Sequence, residues 1–184
     1  RNGDDPDSYH PDRYAALVKA RLGHLPYRFI FEPGRLIVGN AGVLVTSVIL
    51  VKSGEAKTFV VVDAAMNDLL RPSLYGAWHD IRAVRPGSGK MVATVVGPVC
   101  ETGDTFAEDR TIDAVDAGDL VAFMTAGAYG ATMASTYNSR PLVPEVLVDG
   151  ANWAIVRPRE DLAAQLARDR IAPWLGNASA TPGV

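Results

Sequence analysis

Cys100 and Glu101 stand side by side in the run Gly97-Pro98-Val99-Cys100-Glu101-Thr102-Gly103-Asp104, and this cysteine is the only one in the chain. An apolar run over residues 91–96 leads in, and a Thr-Gly-Asp turn signal leads out. The pattern predicts a thiol and a carboxylate at the mouth of a strand, where a rigid scaffold can present them to a ligand. Two readings stand. In one, a small buried hydrophobe lies beside a solvated acid. In the other, a proton-handling thiol lies beside a carboxylate that reads a substrate cation. The residue types do not choose between them.

Three further groupings have chemical potential. In Glu32-Pro33-Gly34-Arg35, Gly34 lets backbone approach a ligand closely and Arg35 offers a planar fork for phosphate or carboxylate. A strand-ending turn with a surface ion pair explains the same residues. Arg71 and Tyr75 lie four apart, with Pro72 placed to start a helical turn, so guanidinium and phenol share one face and can share a carboxylate. A surface arginine and a half-buried tyrosine account for them equally well. Tyr129, in Gly127-Ala128-Tyr129-Gly130, is a lone aromatic among small residues, suited either to lie against a planar ring or to pack in a core. Lys19, Lys52, Lys57 and Lys90 carry no mark of a buried amine suited to Schiff-base chemistry.

The elements that must position these groups change character along the chain. Pro11 followed by Tyr14, Leu17, Val18 and Leu22, with Gly23 as a stop, predicts an amphipathic helix. An apolar strand is expected over residues 27–31, giving one unit of a parallel α/β structure that cannot close a sheet by itself. Beyond Arg35 a short helical turn precedes a strand hairpin, residues 43–51 and 58–62, turning at Ser53-Gly54-Glu55. Further strands are expected over 81–84, 91–96, 120–125, 142–148 and 153–156, and a helix over 161–170. The six acidic residues within 102–119 read as a solvated loop without chemistry. The fold class is therefore mostly β, a β-sandwich or barrel preceded by the tail of an α/β domain. Expected domains are 1–40, 41–175 and a flexible tail over 176–184.

Composition excludes several classes. With 184 residues, a net charge of −3 and no basic stripe, nucleic acid is not an expected partner. The longest apolar stretch, residues 43–51, is too short to span a bilayer. A single cysteine favours a reducing compartment, and the three scattered histidines show no metal-ligand spacing. A cytoplasmic protein without metal is expected. The missing initiator methionine and the loop-like opening predict a truncated or processed product.

Taken in order, Glu32-Pro33-Gly34-Arg35, residues 63–68 with 71–75, residues 97–104, Gly127-Ala128-Tyr129-Gly130 and Tyr137-Asn138-Ser139-Arg140-Pro141 form a set that closely resembles the C-terminal part of the bacterial diaminopimelate decarboxylase family. Those enzymes are pyridoxal 5'-phosphate decarboxylases with an alanine-racemase-like (β/α)8 barrel and a β domain. The resemblance makes residues 1–40 the last helix and strand of that barrel. It implies that Glu32, Gly34 and Arg35 help to hold the cofactor phosphate, with Arg35 also at a substrate position. It implies that Arg71 and Tyr75 bind a substrate carboxylate, that Cys100 is the catalytic proton donor after decarboxylation, that Glu101 recognises the distal ammonium, and that Tyr129 touches both cofactor and substrate. It further implies a homodimer in which the Cys-Glu loop reaches the partner's site, and the conversion of meso-diaminopimelate to L-lysine and CO2. Related ornithine-type enzymes usually carry aspartate after the same cysteine. The Schiff-base lysine and the glycine-rich phosphate loop fall before Arg1, so a fragment inactive by itself is expected. The alternatives are a barrel decarboxylase of another diamino acid, of ornithine or arginine type, and a non-catalytic dimerisation or regulatory β domain.

Overall fold

The computed structural model describes residues 10–176. Strand β1 (Leu44–Ser53) is a nearly unbroken apolar and β-branched run, which favours extended backbone in a sheet, with Thr46 and Val48 facing the interior. It folds back on β2 (Thr58–Val62) in antiparallel register, with the Gly54 amide donating to the Lys57 carbonyl at 2.9 Å across the turn. The other edge of β1 pairs with β6 (Leu120–Phe123), which in turn carries β3 (Ile81–Ala83). Beyond β2 comes β4 (Lys90–Val96), the one parallel neighbour, and then β5 (Thr105–Asp113). The order β3-β6-β1-β2-β4-β5 brings the two edge strands together, and the Ala83 amide donates to the Asp113 carboxylate at 3.0 Å between them. The sheet thus curls into a nearly closed barrel, the solution by which a β domain hides its edges.

Inside the barrel lie Val48, Val60, Val62, Val95, Val121 and Phe123, joined by Phe106, whose ring centroid is 4.5 Å from that of Phe123. Each such side chain taken out of water contributes about 1.5–3 kcal/mol, so this core supplies the rigidity on which the loops stand. A second, two-stranded sheet, β7 (Glu145–Asp149) with β8 (Asn152–Arg157), stands apart from the barrel.

The helices are short. Helix α1 (Pro11–Leu22) starts on Pro11 and stops at Gly23 as its sequence predicts, but it buries no residue. Helix α2 (Gly34–Val38) runs into a 3-10 turn, Gly39–Ala41. Helix α3 (Arg71–Tyr75) ends on Gly76 in the left-handed region, φ 58°. Helix α4 (Gly130–Met133) and a 3-10 turn (Tyr137–Ser139) precede the second sheet, and α5 (Leu162–Leu166) and α6 (Pro173–Gly176) follow it.

Three expectations need correction. Residues 27–31 form no strand and join no ladder, because no strand of this sheet lies beside them; Ile30 is 77% exposed. The acidic stretch 102–119 contains strand β5, on which Glu108 and Asp109 are exposed while Phe106, Ala107 and Ile112 are buried. The charge run masked the alternation. The helix expected over 161–170 is only the single turn of α5, capped by Asp161 accepting from the Ala163 amide at 3.2 Å. The opening over residues 1–9 and the tail from residue 177 lie outside the described residues.

Candidate functional site

The end of α2 with the turn after it, residues 38–42, and the loop that leads into Gly127-Ala128-Tyr129-Gly130 are locked together by backbone. The Ala126 amide donates to the Gly42 carbonyl at 2.8 Å and the Gly127 amide to the Gly39 carbonyl at 3.0 Å, while Thr125 Oγ1 donates to Asn40 Oδ1 at 3.0 Å. A Cβ on Gly127 would lie 2.1 Å from the Val38 carbonyl oxygen, and one on Gly42 would lie 2.6 Å from the Gly127 Cα. Glycine at 42 and 127 is thus required by close approach. The chain leaving α2 can then lie flat on the loop that carries Tyr129, itself held at φ 66°.

The product is a groove of about 1310 Å³ between α1, the residues around α2, and the 125–129 loop. Glu32, Gly34, Arg35, Arg71 and Tyr129 all line it. Five of the eight expected site residues therefore share one surface. Gly34 faces open space, with nothing within 4 Å of a Cβ placed there. The Arg71 guanidinium carbon is 5.4 Å from the Tyr129 ring centroid and 5.7 Å from that of Tyr75. The two rings hold the guanidinium by cation–π attraction of about 0.5–1 kcal/mol each at such exposed sites. Tyr75 does not line the groove and reaches it only through Arg71. Neither Arg35 nor Arg71 forms an ion pair among the described residues. Two cationic forks and an open aromatic face suit an anionic ligand with a planar ring.

Helix α3 divides this groove from a smaller cavity of about 360 Å³ whose lining includes Pro72, Ser73, Gly103, Phe106, Glu108 and Arg110. Cys100 and Glu101 line neither space. Both are exposed, on a loop shaped by Asp104. One Asp104 oxygen accepts from the Met66 amide at 2.6 Å and the other from the Val99 amide at 2.8 Å. Burial pushes the Asp104 carboxyl upward against those two hydrogen bonds. Glu101 Oε1 accepts from the Gly103 amide at 3.3 Å, and Oε2 from the Tyr137 hydroxyl at 3.4 Å. The set thus separates into a groove group and a Cys-Glu pair that lines neither space.

Several participants escaped the sequence reading. Trp78 lines the groove, and the Arg110 guanidinium lies 3.4 Å above its ring while donating to the His79 carbonyl. His79 is buried: its Nδ1–H donates to the Met124 carbonyl at 2.9 Å, and its Nε2 has no partner among the described residues. Burial first, then the charges of Arg71, Arg110 and Arg35, hold the imidazole below its ordinary value. Arg140 donates from Nε to Asn67 Oδ1 at 2.9 Å and from Nη2 to the Asp63 carbonyl at 2.5 Å. At Asp63 burial acts upward, but hydrogen bonds from Thr46 and Ser47 and the Arg140 charge prevail and hold the carboxyl low. An aromatic three residues past the Arg71–Tyr75 pair was the available signal for Trp78; nothing in the sequence tied Arg140 to residues some 70 positions upstream. Among the described residues no group of three or more His, Cys, Asp or Glu could hold a metal, and no helix is long and apolar enough to cross a membrane.

The family described as "Pyridoxal-dependent decarboxylase, C-terminal sheet domain" matches residues 9–127. Diaminopimelate decarboxylase of Zymomonas mobilis is 49% identical over 172 residues, 94% of this chain and 41% of that protein. The enzyme of Neisseria meningitidis serogroup A is 53% identical over 157 residues, 85% of this chain and 38% of that protein. The crystal structure of diaminopimelate decarboxylase from Helicobacter pylori complexed with L-lysine superposes with a TM-score of 0.74 at 43% identity, over 85% of this chain and 39% of that one. The chain spans about two fifths of the length of the curated relatives it matches.

Proposed function

This chain belongs to the family of C-terminal sheet domains of pyridoxal-dependent decarboxylases, and from that premise we propose that it is the substrate-reading part of an enzyme converting meso-diaminopimelate to L-lysine and CO2. The observation that supports this most is the convergence of Arg35, Arg71 and Tyr129 on one groove, with neither guanidinium committed to an ion pair among the described residues. Residues 1–40 are the remnant of the (β/α)8 barrel and 41–175 the β domain. The Schiff-base lysine belongs to the barrel part of the full-length enzyme, which together with this segment makes the catalytic unit. The protein works in the cytoplasm.

The groove fits pyridoxal 5'-phosphate by its donor set: cationic forks for a phosphate, an exposed phenol ring for a pyridine plane, and a glycine that leaves room. When bound, that group supplies the electron sink for the pair released as CO2 departs. Glu32, Gly34 and Arg35 would hold the phosphate side, and Tyr129 would contact cofactor and substrate. Arg71, steadied by Tyr75 and Tyr129, pairs with the substrate carboxylate. Glu101 accepts hydrogen bonds from the distal ammonium, and the Cys100 Sγ–H delivers a proton to the carbon that has lost CO2. Because Cys100 and Glu101 stand outside the groove of their own chain, they serve the site of a second subunit in a homodimer. A substrate with charges of both signs at its far end satisfies both Arg71 and Glu101, whereas ornithine, which has no distal carboxylate, would leave the Arg71 guanidinium unpaired.

The test is CO2 release and lysine formation by the full-length protein carrying this segment, loaded with pyridoxal phosphate, on meso-diaminopimelate, ornithine and arginine. Turnover confined to meso-diaminopimelate is expected. Faster turnover of ornithine or arginine would overturn the substrate assignment.

A further inference from the structure

Tyr137-Asn138-Ser139-Arg140 has no part in the function proposed above, yet it stands directly on the Cys-Glu loop. The Tyr137 hydroxyl donates to Glu101 Oε2 at 3.4 Å, so with the Gly103 amide on Oε1 each carboxylate oxygen has one donor. The turn that carries Tyr137 is unusual: Asn138 and Ser139 are consecutive non-glycine residues in the left-handed region, φ 61° and 57°. Such backbone persists only when its surroundings fix it. Arg140 does the fixing. Its guanidinium reaches Asn67 Oδ1, the Asp63 carbonyl and, at 3.5 Å, the buried Asp68 carboxylate. Asn67 is itself buried and donates from Nδ2 to the Ser135 carbonyl at 3.1 Å and to Asp68 Oδ1 at 3.0 Å.

The Cys-Glu loop is tied to the same place from its other end, since Asp104 accepts from the Met66 amide. Two segments far apart in sequence, 97–104 and 137–140, are therefore pinned to one platform, residues 63–68, and they meet at Glu101. We propose that Tyr137 is a positioning residue that holds the Glu101 carboxylate in the orientation that selects the substrate's distal ammonium, with Arg140 as its anchor. The inference rests on the role of Glu101 proposed above. It adds that specificity depends on a phenol outside the groove, which travels with Glu101 into whichever subunit's site that acid serves.

A donor to a half-exposed carboxylate orients it more than it stabilises the fold. In the full-length holoenzyme, Tyr137→Phe removes the hydroxyl and keeps the ring. KM for meso-diaminopimelate should rise about fivefold with kcat within about twofold, the pattern of lost uniform binding. D-2-aminopimelate, which keeps both carboxylates and lacks the distal ammonium, should show no such change. In a Glu101→Gln background the same substitution should add nothing further, as two members of one unit do. The thermal midpoint should match that of the unsubstituted enzyme. An equal effect on both substrates, full additivity with Glu101→Gln, or a fall in thermal midpoint would overturn the positioning role. Normal turnover of meso-diaminopimelate with unaltered Tyr137→Phe kinetics overturns this role alone. No turnover by the unsubstituted enzyme overturns the function on which it rests as well.

Discussion

The Met66 amide donates to the Asp104 carboxylate at 2.6 Å, 38 residues away in sequence. Asp104 is buried, and its second oxygen takes the Val99 amide, so one side chain serves two backbone donors that no strand supplies. A Cβ on Gly97 would come within 2.3 Å of that carboxylate, which is why the loop opens on glycine. Asp104→Ala strands both amides, and an unmet buried donor costs about 1–3 kcal/mol. A lowered urea midpoint corresponding to about 3 kcal/mol is expected, with Asp104→Asn losing less because one acceptor remains. Equal stability of the alanine variant and the parent would contradict the role of Asp104.

His79 makes stability fall with acid. Its folded value lies below the ordinary one, first because of burial and then because of three nearby arginines. The native state therefore binds fewer protons than the unfolded chain, so this contribution is complete above about pH 6.5 and is lost as pH falls through the depressed folded value. His79→Asn keeps a donor for the Met124 carbonyl and removes the titration. The parent's urea midpoint should drop more steeply from pH 7 to pH 5 than the variant's. Parallel curves would show that another group sets the slope.

Two glycines separate fold from ligand. Gly127→Ala drives a Cβ to 2.1 Å from the Val38 carbonyl oxygen, and backbone on both sides cannot yield cheaply. A loss of about 2–4 kcal/mol is expected, with weakened cofactor binding as the groove opens. Gly34→Ala meets nothing within 4 Å and sits at the start of α2, so stability should stay within about 0.5 kcal/mol. If the full-length protein then binds pyridoxal phosphate more weakly, the space at Gly34 belongs to the ligand. Unchanged affinity would remove Gly34 from the cofactor cradle.

The β domain was legible because its strands announce themselves locally: the apolar runs of β1 and β2 with Gly54 between them need no tertiary knowledge. Strand β5 was not, because its outward acids look like a solvated loop until Phe106 and Ile112 are seen to face the core. Residues 27–31 carry a strand's composition, but a strand is a relation between neighbours and this sheet offers none. Around the groove, Arg35, Arg71 and Tyr129 stand out in the sequence by motif, while the groove they share depends on Gly42 against Gly127, a contact between segments 85 residues apart in which neither member has a side chain. Trp78 and Arg110 met only once β5 was folded alongside the residues after α3.

Cys100 offers a clean division between structure and chemistry. It is exposed and unpaired, four residues beyond the end of β4, and no core residue depends on it. Cys100→Ala should leave the urea midpoint within about 0.5 kcal/mol of the parent. If its thiol delivers the proton after CO2 departs, kcat of the full-length holoenzyme should fall about 100-fold with KM little changed, since general-acid contributions have that order and a proton donor adds little to ground-state binding. Its setting outside the groove adds a second measurement. Mixing the Cys100→Ala enzyme with an Arg71→Ala enzyme should restore part of the activity, because one subunit brings an intact groove and its partner an intact thiol. Recovery would place the two groups in one site across an interface; no recovery in a mixture shown to form heterodimers would place Cys100 in its own subunit's chemistry or outside it altogether.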